Sequence, residues 1–259
     1  MSNLGSVAGY DSSFAYSINN NGQIVGDSNR PSYNPSFYDF HATLWSKGST
    51  IDLGTLGGTE SYAYSINDNG QIVGESQNTG NSAIQAVIWD SNSTSTLKVI
   101  GNLGTVAVDN NNYGQVVGLS NYPHVPSFAT LWSNGSSVDL GSLGGLANFA
   151  NSINDAGLVV GFSSRNGISD SYATIWTNTL GLLDLNNLLA TSLPGGAHLN
   201  GAFDINNVGQ ILAQTNNGYY VLTPTTVPVP AAVWLFGSGL VGLLSFNCRK
   251  NKTVNLITA

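Results

Sequence analysis

Read for polarity alone, the first 224 residues are a succession of short apolar stretches broken by Asn, Ser and Gly, and the breaks recur. One stretch reads AYSINNNGQIVG (Ala15–Gly26), AYSINDNGQIVG (Ala63–Gly74), AVDNNNYGQVVG (Ala107–Gly118), ANSINDAGLVVG (Ala150–Gly161) and AFDINNVGQILA (Ala202–Ala213). A later stretch reads ATLW, AVIW, ATLW and ATIW, ending at Trp45, Trp89, Trp132 and Trp176, and degenerates to YYVL ending at Leu222. A last stretch, IDLGTLGG (Ile51–Gly58) or VDLGSLGG (Val138–Gly145), shortens around Leu103 and Leu185. The tryptophans follow one another at 44, 43 and 44 residues. A fixed period of this size marks a repeat architecture.

The pieces predict strands, because each is short, rich in β-branched and aromatic residues, and bounded by turn formers. Asn19, Asn67, Asn111, Asn154 and Asn206 each stand three residues before a glycine. An Asn there folds back on its own backbone, and the glycine takes a positive φ, so the first and second strands form a hairpin. Gly26, Gly74, Gly118 and Gly161 leave room for a close backbone approach. The tryptophans are large enough to seal the contact between units. Four strands in about 44 residues is the size of a propeller blade. The chain opens on Asn3-Leu4-Gly5-Ser6, which resembles a fourth strand, and the fifth unit lacks one. The expected fold is therefore all-β: a β-propeller of about five four-stranded blades over residues 1–224, closed by pairing of the N- and C-terminal strands. An open β-solenoid is the alternative.

The pattern changes after a linker at 225–230. Residues 231–248 read AAVWLFGSGLVGLLSFNC without a charge. As a helix, eighteen residues rise about 27 Å, close to the hydrocarbon thickness, which predicts one transmembrane helix. Arg249, Lys250 and Lys252 follow, so 249–259 is expected to be a basic cytoplasmic tail, with the membrane as a partner and the repeats outside the cytoplasm. Residues 1–20 hold no Lys or Arg and no long apolar run, hence no signal peptide. The two ends disagree, and the expectation drawn is that Met1 is an internal start or that the chain is a fragment.

Charge narrows the function. Only 8% of residues are charged, and fourteen carboxylates face four basic residues before the tail. Such a domain repels nucleic acid. Cys248 is the one cysteine, so no internal disulfide or cysteine metal cluster can form.

Two family resemblances follow from these residues. Val227-Pro228-Val229-Pro230, the apolar run with Gly-Ser-Gly and the basic end resemble a PEP-CTERM sorting signal in its VPxPAAVWLFGSG variant. That resemblance implies processing by an exosortase in a Gram-negative bacterium that makes exopolysaccharide, a second candidate partner. The repeats, with His41-Ala42-Thr43, LGTLGG and INDNGQIVG, resemble the HAF repeat of bacterial extracellular proteins. It implies a location in the cell envelope or beyond and no defined activity.

Candidate chemistry is sparse. Asp109 and Asp204 open D-x-N-x-x-G stretches that resemble calcium loops, but the twelfth positions are Ser120 and Thr215 instead of a carboxylate, and turn formation explains the pattern. Glu60 and Glu75 are the two glutamates; Asp52, Asp139 and Asp184 sit in recurring positions, as framework residues do. His41, His124 and His198 share no spacing. No catalytic, metal or cofactor site is assigned. The variable loops between second and third strands are the candidate binding surface, through Arg30, Tyr33, Phe37, Tyr38, Tyr122, His124 and Arg165: aromatics among Asn and Ser suit a sugar or a protein partner. The expected function is that of a non-enzymatic, membrane-anchored, exosortase-processed surface or matrix protein. The alternative is a carbohydrate-active enzyme with its site on the loop face.

Overall fold

The computed structural model describes residues 3–31, 38–81, 83–91, 93–120, 127–166, 170–225 and 245–250. Each repeat folds as a four-stranded antiparallel meander. The first comprises β1 (Ser12–Ile18), β2 (Ile24–Pro31), β3 (Tyr38–Ser46) and β4 (Ser49–Asp52). The second has β5 (Gly57–Ile66), β6 (Gln71–Asn78), β7 (Ile84–Asp90) and β8 (Ser93–Leu103). The third has β9 (Val106–Asn110), β10 (Val116–Ser120), β11 (Phe128–Ser133) and β12 (Ser136–Asp139). The fourth has β13 (Gly144–Ile153), β14 (Val159–Arg165), β15 (Ser171–Thr177) and β16 (Gly181–Asp184). The fifth has β17 (Gly201–Ile205), β18 (Ile211–Thr215), β19 (Gly218–Thr225) and β20 (Ser245–Lys250). A single parallel contact, Phe40 to Glu60, joins the first two sheets.

The turn chemistry is the one the repeat predicts. Gly22 has φ 72° and donates to the Asn19 carbonyl at 3.1 Å, while Asn19 Oδ1 accepts from the backbones of Asn21 and Gln23. Gly74 is held by contact: a Cβ there would lie 1.8 Å from the Tyr62 carbonyl oxygen. In the fifth unit Ala213 fills that position, and its strand-one neighbour has become Gly201.

The core lies between units. Val25, Ala42 and Leu44 of the first pack against Ala63, Ile66, Ile72 and Trp89 of the second. Val73 and Ala86 meet Ala107, Val116 and Trp132 of the third. Burying one face of each sheet on the next is what makes a single unit dependent on its neighbours.

The expected closure is absent: beyond the Phe40–Glu60 contact the sheets stay separate, and none closes into a barrel or propeller. The N-terminal segment lies on its own first unit, where the Leu4 and Gly5 carbonyls accept from Thr50 Oγ1 (3.3 Å) and Trp45 Nε1 (3.0 Å). The open edge of β19 is taken by β20, from Thr225 opposite Ser245 to Tyr220 opposite Lys250. An edge strand accepts any segment that offers a matching row of backbone groups, and a segment of the same chain does so here. Apolar and aromatic side chains of β1 face solvent among the described residues. Phe14, Tyr16 and Ile18 are 56%, 48% and 65% exposed, whereas Ile66, the counterpart of Ile18, is 5% exposed.

The C-terminal expectation is corrected as well. Ser245–Cys248, read as the end of a transmembrane helix, form a strand, and Arg249 and Lys250 pair with Val221 and Tyr220 instead of entering a cytoplasmic tail. Among the described residues no helix is long and apolar enough to cross a membrane. An apolar run carries no period that separates helix from strand, and the edge of β19 decides the matter for its last residues. Residues 231–244, Val227, Pro228, Val229, Pro230 and Lys252 lie outside the described residues.

Candidate functional site

Two polar constructions distinguish the molecule. The first is a recess of about 350 Å³ where the first strands of all five units converge. Asn19 Nδ2 donates to the Asn67 carbonyl (3.0 Å), Asn67 to Asn111 (2.8 Å), Asn111 to Asn154 (3.0 Å) and Asn154 to Asn206 (3.1 Å). Beside this column, Asp68 accepts from the backbone and side chain of Asn20, and Asp155 accepts likewise from Asn112 and also from Asn207. Deeper in, the Asp109 carboxylate accepts from Ser65 Oγ (2.7 Å), Ser152 Oγ (2.9 Å) and the backbone N–H of Ile153 (2.9 Å), tying the second and fourth units to the third. Burial pushes Asp109 up despite these donors. Its oxygens already have protein partners, as do those of Asp68 and Asp155, so the recess serves as framework. The side chains of the calcium-like stretches, Asp109 with Asn111 and Asp204 with Asn206, are hydrogen-bonded within it.

The second construction breaks the repeat. The residue after the strand-two glycine is Asp27 in the first unit and Glu75 in the second, but Leu119, Phe162 and Gln214 in the others, where Ala213 holds the glycine's place in the fifth. The bulged residue of the first strand is Tyr16 and Tyr64 in the same two units, against Val108, Asn151 and Phe203. The bulge swings each ring across to its own acid. Tyr16 Oη donates to Asp27 Oδ1, and Tyr64 Oη donates to Glu75 Oε1 at 2.9 Å. The other oxygens, Asp27 Oδ2 and Glu75 Oε2, are buried and have no partner among the described residues.

These groups belong to one neighbourhood. Ring centroids run Phe40 to Tyr62 at 5.2 Å, Tyr62 to Tyr64 at 6.0 Å with parallel planes, and Tyr64 to Tyr16 at 6.0 Å. Glu60 stands beside them and accepts from Gln77 Nε2 at 2.9 Å. Burial raises Asp27, fully buried, against the Tyr16 hydrogen bond. Burial pushes Glu75 up to about 7; the Tyr64 hydrogen bond opposes the shift and the Glu60 charge adds to it. Burial and the Asp39 charge raise Glu60. Tyr16, Tyr62 and Tyr64 are all raised, by burial first and then by the adjacent carboxylates. The site is thus acceptor-rich, partly desolvated and negative. It lies toward the end of the units where the second strand leads into the variable loop.

Of the residues singled out from sequence, Arg30 ends near this group, with Nε 3.4 Å from Asp39 Oδ2 and its guanidinium 4.8 Å from the Tyr10 ring centre. His41 Nδ1 is 2.8 Å from Asp52 and its ring meets Tyr10 at 5.2 Å. Burial pushes Asp52 up, but the His41 and Gly54 hydrogen bonds outweigh it and hold the carboxyl below its usual range. Arg165 repeats the Arg30 arrangement in the fourth unit, paired with Asp184 and lying 4.2 Å over Tyr172. It does not join the first cluster. Tyr38 begins β3, and Tyr33, Phe37, Tyr122 and His124 lie outside the described residues. Tyr16, Asp27, Tyr62, Tyr64 and Glu75 escaped the sequence reading as a binding group. Their signal is that acid and tyrosine replace apolar or amide residues in two units of five.

No protein-family model matches the chain, and no curated protein matches it. Among solved structures, one described as the crystal structure of TolB from Acinetobacter baumannii is similar at 15% identity, with a TM-score of 0.45 over 80% of this chain and 53% of that chain. The chain thus spans about half the length of that structure.

Proposed function

We propose that this is an exported, non-enzymatic interaction protein of the cell surface or extracellular matrix, with its binding face at the tyrosine–carboxylate group of the first two units. The observation that supports this best is the contrast between the two polar constructions. The framework carboxylates Asp68, Asp109 and Asp155 have protein donors on both oxygens, whereas Asp27 and Glu75 each keep one buried oxygen without a donor beside a row of aromatic rings. Buried acceptors left open are costly, and two carboxylate oxygens left open in one aromatic neighbourhood support a site whose partner is another molecule. Export is supported by the resemblance of the repeats to HAF repeats and of Val227–Pro230 to a sorting motif. The test is retention of the full chain on exopolysaccharide from a producing bacterium, without release of product. Loss of retention in a Tyr16→Ala, Tyr62→Ala double variant is expected; unchanged retention refutes the binding face.

One observation favours a second reading. A glutamate raised to about 7 beside another glutamate is the state a glycosidase needs in its general acid. Release of reducing ends that disappears in Glu75→Gln would replace the first reading by this one.

A further inference from the structure

Asp27, Glu60 and Glu75 place three carboxyl groups around Tyr16, Tyr62 and Tyr64, and the side chains bonded to them are neutral: two tyrosine hydroxyls and the Gln77 amide. Arg30, close by, is engaged with Asp39 and the Tyr10 ring. A neutral ligand donating hydroxyls would satisfy the open oxygens but leave the charge uncompensated. A bare divalent cation needs six to eight oxygens including several carboxylates, and among the described residues no acid–histidine group is arranged to hold one. An ammonium group meets both demands, because it donates hydrogen bonds, carries the missing positive charge and is attracted to tyrosine ring faces. Tyr16, whose hydroxyl holds Asp27, is 48% exposed, so one wall of the group faces solvent.

We propose that the tyrosine–carboxylate group of the first two units binds a ligand carrying protonated primary amines, supplied by an amino-sugar chain or by a polyamine. This rests on the reading that the group is a binding face, and it adds the chemistry of the partner. The test is calorimetric titration of the full chain with a β-1,4-linked glucosamine oligomer, its fully N-acetylated counterpart, and spermidine. The glucosamine oligomer is expected to bind at least about tenfold more tightly than the acetylated one. Glu75→Gln and Glu60→Gln should each weaken it several-fold, and Asp139→Asn, remote in the third unit, should not. Glu60 is only half-buried, so its variant keeps the test readable if Glu75→Gln fails to fold. Spermidine binding as tightly as the oligomer assigns the source to polyamines; much weaker binding assigns it to amino sugars. Equal binding of both sugars overturns the amine inference while leaving the binding face intact. An effect of Asp139→Asn equal to that of Glu75→Gln also overturns it, since general acidity would then explain the attraction. Binding of none of the three overturns it too, and the binding face is then judged by exopolysaccharide retention alone.

Discussion

Glu75→Gln should make the protein more stable at pH 8 and leave it little changed at pH 4.5. Glu75 is raised from 4.5 to about 7, chiefly by burial, so the folded protein holds this proton more firmly than the unfolded chain does. A carboxyl raised by folding contributes its stability fully below the unfolded value and loses it as pH climbs through the folded one. The window is therefore pH 4.5 to about 7. At about 1.4 kcal/mol per unit, the shift corresponds to roughly 3 kcal/mol at most. Relaxation of the surroundings around the ionised group reduces the effect to about 1–2 kcal/mol. Glutamine carries no charge and keeps an oxygen to accept from Tyr64 Oη, so it removes the penalty without breaking that hydrogen bond. Its amide nitrogen stands where the oxygen without a partner stood and leaves a buried donor unpaired, which offsets part of the gain. Urea titrations followed by tryptophan fluorescence from pH 4.5 to 8.5 measure the difference, and about 1 kcal/mol corresponds to 2–4 °C in Tm for a domain of this size. A variant equally or less stable at pH 8, or a difference that does not vary with pH, would refute the argument that burial opposes the ionisation of Glu75.

Other substitutions separate positions that look equivalent in sequence. Ile66→Asp should cost more than about 3 kcal/mol because it buries a charge in the interface between units, whereas Ile18→Asp, 65% exposed at the same repeat position, should cost under about 0.5 kcal/mol; paired thermal melts decide. Asn111→Ala removes the acceptor for the Tyr113 and Gln115 backbones and the donor to the Asn154 carbonyl, at about 3 kcal/mol. Asn206→Ala, at the end of the column, should cost about 1 kcal/mol, and equal losses would show that the column carries no inter-unit stability. Gly74→Ala should yield little folded protein, measured by far-UV circular dichroism of the soluble fraction, because its Cβ meets the Tyr62 carbonyl; a folded variant would mean that β5 shifts freely there.

What the sequence made legible was local. The Asn19-to-Gly22 turn, the contact at Gly74 and the burial of Trp89 against the preceding unit all depend on residue types at short range, and each copy of the repeat restates them. Closure was not legible, because it depends on where the end units stand after four successive contacts. A resemblance between Asn3–Ser6 and a fourth strand carries no information about that distance. The segment Ser245–Lys250 was misread because no period distinguished strand from helix, and pairing with β19 decided it. Tyr16 and Asp27 were missed as a pair because strict alternation hides the bulge between Ala15 and Ser17, which turns the tyrosine toward the acid.

The same division explains where chemistry can vary in such a chain. The asparagine column links neighbouring units, so a change at Asn67 removes its side-chain bond to Asn111 together with the turn contacts that hold the carbonyl accepting from Asn19. Positions 27 and 75 lie past the shared glycine, and their hydrogen bonds stay within one unit, to Tyr16 and Tyr64. An acid can enter there, with its tyrosine, without breaking the stack, at the cost of a partly desolvated carboxyl. That cost is measurable as the pH-dependent gain in Glu75→Gln. If the gain is present and ligand binding is lost in the same variant, the penalty and the function share one side chain, as expected when stability is given up at a binding site. If the gain is present and binding is unaffected, Glu75 is only a strained member of the wall, and recognition belongs to Glu60 and the exposed rings.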